Sequence, residues 1–208
     1  MKRSCSAANY STLWKHLFIA LVVGAQTLTT PASAAPPPTI EMQGKIERVV
    51  DGDTVVFLSA TGQRFRLRLA GIDAPEMAMP YGDMARNMLI QLIGAEDVTV
   101  HATKWDRYGR CVAKVFGNDG DVNLALIKQG LAWHYKRYAH EQTSSDAVAY
   151  AQSENEAKAR EAGLWKETKP VPPWAYRACR KKPSTCRHTG TDSDIQQEMG
   201  IFRGEARD

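Results

Sequence analysis

Residues 64–76, with the sequence RFRLRLAGIDAPE, constrain the fold of this chain more than any other segment. The first six residues alternate between arginine and apolar side chains. A period of two places the apolar set on one face of a β-strand and the arginines on the other. The strand then runs into a turn that carries two carboxylates, Asp73 and Glu76. Arginines and carboxylates gathered at one strand end indicate a functional site. Other segments of the chain would have to supply the remaining side chains of that site.

This strand belongs to a series of β-rich runs that are joined by short turns. We predict five strands, at residues 40–50, 54–58, 64–69, 98–103 and 110–116. Apolar residues at helical spacing predict three helices, which begin at Asp83, at Asp121 or Asn123, and at about Ser144. Five antiparallel strands with a helix after the third suit a small closed barrel better than an open sheet. The predicted fold class is therefore α+β, mostly β: a five-stranded barrel with three helices.

The first 34 residues have the layout of a secretory signal peptide. The basic residues Lys2, Arg3 and Lys15 accompany a short apolar run at residues 17–23, and Ala32-Ser33-Ala34 forms a small-x-small cleavage site. Because this run is shorter than the roughly 20 residues that span a bilayer, we expect export to the periplasm or the medium and no membrane attachment after cleavage. The same basic residues supply most of the net charge of +4, so the overall charge does not indicate a nucleic-acid partner.

The rest of the chain divides into three parts by composition. We predict a linker at residues 35–42, one domain at residues 43–166 and a Pro-rich, basic tail at residues 167–208, which we expect to be mobile. Cys179 and Cys186 lie in this tail, and in an oxidising compartment we predict a disulfide between them. Cys111 lies in an apolar strand and is expected to be buried.

Four polar clusters could carry chemistry. They are residues 51–54 (DGDT), 73–76 (DAPE), 106–110 (DRYGR) and 133–138 (WHYKRY). Taken one at a time, the first three can be plain turns, and the aromatic residues of the fourth can belong to the core as readily as to a base-stacking surface.

Taken together, the clusters indicate a particular reaction. Asp53 and Asp73 could both offer oxygen ligands to a hard cation such as Ca²⁺. Glu76 is close enough in sequence to act on a water near that metal, and Arg68 and Arg110 suit bidentate contact with a phosphate. Carboxylates, a hard metal ion and arginines are the groups that phosphodiester hydrolysis by water requires.

The motifs VVDGDTVVF, RLAGIDAPE, DRYGR and NLALIKQGLAWHY, in this order and spacing, resemble the staphylococcal nuclease (thermonuclease-like) family. The resemblance covers about residues 43–165, the whole predicted core. It implies an OB-fold barrel of five strands with three helices, in agreement with the elements predicted above.

The resemblance also implies a role for individual residues. The implied catalytic residues are Arg68, Glu76 and Arg110; the metal ligands are Asp53, Asp73 and the main-chain carbonyl of Ala74; the substrate contacts are Arg107, Tyr108 and Tyr135. The implied function is that of an exported, Ca²⁺-dependent nuclease that cleaves DNA and RNA, prefers single strands, leaves 3′-phosphate ends and acts as a monomer.

Two alternatives belong to other classes of protein. The first is a non-catalytic OB-type module that only binds nucleic acid. The presence of every implied catalytic and metal-binding side chain favours the enzyme over this module. The second, a structural envelope protein, would rest on the tail alone.

Overall fold

The computed structural model describes residues 39–182 of the chain. The strands are β1 (Ile40–Val49), β2 (Thr54–Ser59), β3 (Arg64–Leu69), β4 (Ile72–Asp73), β5 (Val98–Trp105), β6 (Cys111–Gly117), β7 (Gly120–Asp121) and β8 (Trp133–His134). The helices are α1 (Gly82–Ile93), α2 (Val122–Lys128), α3 (Ser144–Ala159) and α4 (Pro173–Lys181), with short 3₁₀ helices at Lys136–Glu141 and Gly163–Lys166. The predicted signal peptide lies outside the described residues.

Five of these strands form a closed barrel. β1 pairs antiparallel with both β2 and β5, β2 pairs with β3, and β5 pairs with β6. β3 and β6 then close the barrel as parallel neighbours, with Leu67 opposite Cys111 and Leu69 opposite Ala113. The prediction that all five strands are antiparallel is therefore wrong for this one pair. Parallel pairing is possible here because α1 and β5 provide the long connection that it requires.

The predicted α+β class and the five-stranded barrel are confirmed. α2 is capped by Asp121, whose carboxylate accepts a hydrogen bond from the N–H of Leu124 at 2.9 Å; this decides between the two candidate caps. β1 begins at Ile40, the predicted start of the first strand, so residues 40–42 of the predicted linker belong to that strand. α4 lies inside the predicted tail.

The barrel core is formed by the apolar faces of the strands together with α1 and α2. Its fully buried residues include Val55, Phe57, Leu67, Val100 and Ala113 from the strands and Ala85, Leu89, Leu126 and Ile127 from the helices. The pairings β1–β2 and β5–β6 each contain a shift of register, which bends the strands and helps a sheet to close. The core thus holds one end of β3 and the turns around it in fixed positions.

The two cysteines of the described region differ in their bonding state. Cys111 is buried and free, which confirms its prediction. Cys179 is disulfide-bonded. Its predicted partner, Cys186, lies outside the described residues, so the pairing stays a prediction. Within residues 39–182, no helix is both long and apolar enough to cross a membrane.

Asn123 joins α2 to the barrel through three hydrogen bonds. Its amide nitrogen donates to the carbonyls of Ala70 at 2.9 Å and Ala113 at 3.2 Å, and its side-chain oxygen accepts from the N–H of Val115 at 3.2 Å. Because Asn123 is fully buried, Asn123→Ala removes these partners without letting water replace them. We expect the free energy of unfolding to fall by about 2–3 kcal/mol, measured by urea denaturation.

Asn118→Ala is the matched control, since the Asn118 side chain makes an exposed hydrogen bond to Glu96. We expect this variant to stay within about 0.5 kcal/mol of the parent protein. A loss for Asn123→Ala no larger than that of the control would contradict the role of Asn123.

Candidate active site

The turn between β1 and β2 brings Asp53 against the loop that follows β3. A Cβ atom at Gly52 would lie 2.7 Å from the Cβ atoms of both Ala74 and Ala85. Glycine is therefore needed for close approach, since any side chain would push this turn away from α1. The carboxylate of Asp53 accepts a hydrogen bond from the N–H of Ala74 at 2.9 Å. The Asp-Gly sequence, which alone reads as a plain hairpin turn, thus places one carboxylate beside Asp73.

Arg68 links the two aspartates at the end of β3. One guanidinium nitrogen lies 3.0 Å from Oδ2 of Asp53 and another lies 2.7 Å from Oδ1 of Asp73. Asp53 and Asp73 are 7% and 0% exposed, so their charges depend on this partner rather than on water. Burial would lower the pKa of Arg68, but the charges of Asp53 and Asp73 outweigh it and raise that pKa. Burial raises the pKa of Asp73 to about 6, against the opposing effect of Arg68.

Glu76 lies at the rim of this group. A Cβ atom at Gly82, the first residue of α1, would lie 2.2 Å from the carbonyl oxygen of Glu76, so the start of the helix fixes the position of the loop. The Glu76 side chain is 32% exposed, whereas that of Asp73 is 0% exposed. Glu76 is thus the carboxylate of the pair that solvent water can reach.

A second guanidinium, which is not among the predicted site residues, reaches the same carboxylates from α4. Nη1 of Arg177 lies 2.8 Å from Oε1 of Glu76 and 3.1 Å from Oδ1 of Asp73, and its Nη2 lies 2.7 Å from Oδ2 of Asp73. Partial burial would lower the pKa of Arg177, but its bonds to Asp73 and Glu76 outweigh that effect and raise the pKa. A helix start could have been recognised from Pro173, since proline is favoured in the first turn.

Tyr135 is placed beside the carboxylates by the pairing of β4 with β8. Asp73 lies opposite Trp133 in this pair, and the N–H of Tyr135 donates to the carbonyl of Gly71 at 2.8 Å. Burial, followed by the charge of Asp73, raises the pKa of Tyr135. The ring of Tyr135 is stacked on that of Trp174 from α4, with centroids 5.4 Å apart and an interplanar angle of 13°.

The turn before β6 forms a second group. Nε and Nη2 of Arg110 both lie 2.8 Å from Oδ2 of Asp106. The Tyr108 hydroxyl accepts a hydrogen bond from Arg107 at 2.7 Å, and the guanidinium of Arg110 lies 5.5 Å from the Tyr108 ring centroid. The bonded partner of the Arg110 side chain is thus Asp106 and not a carboxylate of the first group.

The closing pair of the barrel determines where this second group lies. Val112 of β6 is opposite Arg68 of β3, so the turn that carries Arg110 emerges at the same level of the barrel as the aspartates. Of the nine predicted site residues, Arg68, Asp53, Asp73, Ala74, Glu76 and Tyr135 come together in one group, and Arg107, Tyr108 and Arg110 form the neighbouring group.

The oxygen donors of the first group are of the type that Ca²⁺ prefers. Within residues 39–182, no three His, Cys, Asp or Glu side chains are grouped in a way that could hold a metal, so main-chain oxygens and water would have to complete any coordination shell. Asp73 and Glu76 do attract a cation, since the Arg177 guanidinium stands between them. In donor type and in charge, these residues therefore fit a hard metal ion.

A closed five-stranded barrel with aspartates, a glutamate and arginines gathered at one end defines a hydrolase-like site on an OB-fold. The model of the family described as "Staphylococcal nuclease homologue" matches residues 66–167. An uncharacterized endonuclease of Escherichia coli O157:H7 is 37% identical over 138 residues, which is 66% of this chain and 86% of that protein. One from Haemophilus influenzae is 33% identical over 137 residues, 66% of this chain and 74% of that protein.

A plant protein shares the same region within a longer chain. The Staphylococcal-like nuclease CAN1 of Arabidopsis thaliana is 39% identical over 115 residues, which is 55% of this chain and 34% of that protein. The present chain belongs to the staphylococcal nuclease family, and it is a nuclease by class.

Proposed function

We propose that this nuclease is an exported, Ca²⁺-dependent enzyme that hydrolyses phosphodiester bonds in DNA and RNA. The observation that carries the proposal is the pair of buried aspartates, Asp53 and Asp73, joined through one guanidinium of Arg68. Such a pair is costly to bury, and it supplies hard oxygen ligands next to a cationic group that can bind phosphate. Export rests on the predicted signal peptide at residues 1–34.

The metal position follows from the first group of residues. Asp53, Asp73 and the carbonyl of Ala74 would hold Ca²⁺, which when bound supplies a Lewis acid for a non-bridging phosphate oxygen. Glu76, at the rim, would orient or deprotonate the attacking water. Arg68 would turn one edge of its guanidinium toward the phosphate and stabilise the charge that develops on the equatorial oxygens.

The second group would act on the leaving side of the phosphate and on the neighbouring nucleotide. Arg110, which Asp106 holds through two contacts of 2.8 Å, would share the developing charge and assist the leaving oxygen. Arg107 and Tyr108 would contact phosphate, and Tyr135 would pack on a base. A base can stack in this way only when it is splayed out of a duplex, which favours single-stranded substrates. Cleavage of the 5′-O–P bond would leave 3′-phosphate ends, and we expect a monomeric enzyme.

The test is an assay of the mature protein on single-stranded DNA and on single-stranded RNA. We expect cleavage with Ca²⁺, loss of cleavage when a chelator is added, and recovery when Ca²⁺ is restored. A matched duplex DNA should be cut more slowly. Equal rates with Ca²⁺ and with chelator would contradict the metal dependence.

The same samples distinguish the enzyme from a binding module. Nucleic-acid binding by gel shift, with no cleavage at any Ca²⁺ concentration, would favour the non-catalytic OB-type module. End-labelling of the products tests the chemistry separately, since 5′-phosphate ends would contradict the proposed bond cleavage.

A further inference from the structure

Helix α4 packs against the first group of the candidate active site. Trp174, Arg177 and Lys181 follow one another at spacings of three and four residues, which places them on one face of the helix. Trp174 stacks on Tyr135, and Arg177 bonds to the carboxylates. One face of α4 therefore meets the carboxylates and the ring of Tyr135.

Arg177 occupies the carboxylate of Asp73, which is one of the proposed metal ligands. Its guanidinium takes both carboxylate oxygens of Asp73, at 3.1 and 2.7 Å, together with Oε1 of Glu76 at 2.8 Å. Oδ1 of Asp73 accepts from both Arg68 and Arg177, which takes both of its lone pairs, and Oδ2 accepts from Arg177. Fewer lone pairs of Asp73 are therefore left for Ca²⁺ while Arg177 is bound. The positive charge of Arg177 would in addition repel a cation that approaches Asp73.

Trp174 stands in the position that a base would need. Its ring is stacked on Tyr135 with an interplanar angle of 13°, and it also meets Trp133 edge-on, with centroids 5.4 Å apart. A nucleobase would use the same kind of stacking contact. The face of Tyr135 that Trp174 covers is therefore closed to substrate while α4 is docked.

The docking of α4 buries little of the helix itself. Pro173 is the one residue of the helix that is buried, and the Arg177 side chain remains 37% exposed. The Arg177–Glu76 pair is partly exposed on both sides, at 37% and 32%, and pairs of this kind contribute little net stability and are weakened by salt. The helix is joined to the barrel through the non-helical residues 167–172, so no strand of the barrel has to break if the helix moves aside.

We propose that α4 is an autoinhibitory strap, which occupies the metal and base positions of the active site and moves aside when Ca²⁺ and nucleic acid bind. This inference rests on the proposed function, because it takes Asp73 and Glu76 as the metal and water positions and Tyr135 as the base position. The apparent affinity for Ca²⁺ is then reduced by the fraction of molecules in which the strap is docked.

The experiment measures Ca²⁺ binding by calorimetry in the mature protein and in two variants. Arg177→Ala removes the competing guanidinium, so we expect its dissociation constant for Ca²⁺ to fall about tenfold. Arg180→Ala is the matched control, since Arg180 lies on the same helix, is exposed and places its guanidinium over Tyr176 rather than on the carboxylates. We expect no change in its dissociation constant.

Hydrogen exchange provides a readout that does not depend on activity. In the parent protein, Ca²⁺ is expected to speed the exchange of α4 amides relative to NaCl at the same ionic strength, while the amides of β1 and β5 stay protected. Trp174→Ala loosens the same helix without touching a carboxylate, and it should also tighten Ca²⁺ binding. This variant keeps the test valid if Arg177→Ala does not fold.

The outcomes separate the strap from the function on which it rests. Ca²⁺ binding of equal affinity in the parent protein, Arg177→Ala and Trp174→Ala would overturn the strap and leave the nuclease proposal standing. A weaker affinity in Arg177→Ala, or a lower kcat at saturating Ca²⁺, would also overturn the strap, since Arg177 would then assist the reaction. The absence of Ca²⁺ binding in all three proteins would overturn the metal site itself.

Discussion

Replacing Arg68 with alanine is expected to lower kcat on single-stranded DNA by a factor of about 10²–10³. Arg68 contacts Asp53 and Asp73 together, and in the proposed function its guanidinium stabilises the charge on the phosphate. Its removal takes away charge stabilisation in the transition state. It also leaves the two buried carboxylates side by side without the cation that they share. We therefore expect a loss of stability of about 3 kcal/mol or more in addition to the loss of activity.

Because both effects occur together, kcat has to be measured well below the melting temperature of the variant. Arg68→Lys keeps the charge but loses the planar fork that bonds two groups at once, so its activity should be intermediate. Arg66→Ala is the matched control, since Arg66 lies two residues earlier on the same face of β3 and is exposed. A kcat for Arg68→Ala within tenfold of that of the control would contradict the catalytic role.

Replacing Glu76 with glutamine is expected to lower kcat by about 10²–10³, because a general base contributes on this scale. Glutamine has the same shape but cannot accept a proton from water. The proposed ligands Asp53 and Asp73 are left in place, so Ca²⁺ binding should not become weaker. Glu76 also bonds to Arg177, and the loss of that bond favours release of α4.

The loss of kcat should be specific to Glu76 and absent when a carboxylate far from the site is replaced in the same way. Glu41→Gln is a suitable control, since Glu41 is exposed in β1 and its partner is His101. Retention of more than a tenth of the parent kcat by Glu76→Gln would show that another group activates the water.

The three arginines of β3 show which features of a site local sequence can predict and which it cannot. Alternation correctly predicts that Arg64, Arg66 and Arg68 share a face, because side-chain direction in a strand has a period of two. The structure then separates them: Arg64 bonds to Glu47 at 2.8 Å on the surface, whereas Arg68 turns to the aspartates. Periodicity cannot make this distinction, since it depends on where the barrel closes.

In both groups of the candidate site, the sequence predicts the residues and the fold decides how they are placed. The turn sequences around Asp53 and Asp73 were recognisable, and the family resemblance gave them a role. That Gly52 is needed for contact with Ala74 and Ala85, rather than for the turn itself, is visible only in three dimensions. The pairing of Arg110 with Asp106 lies within one short turn, yet its position relative to Arg68 depends on the parallel pairing of β3 with β6.

By itself, the sequence determined the five barrel strands and the first three helices, which follow from local patterns, since periodicity, caps and turns act over a few residues. The roles of the side chains in the proposed chemistry came from the family resemblance. The tertiary structure decided that β3 and β6 close the barrel in parallel and that α4 returns to the site. The bonds from Arg177 to Asp73 and Glu76 span 104 and 101 residues. No local rule specifies a contact at that separation, because it depends on the packing of every element between its ends.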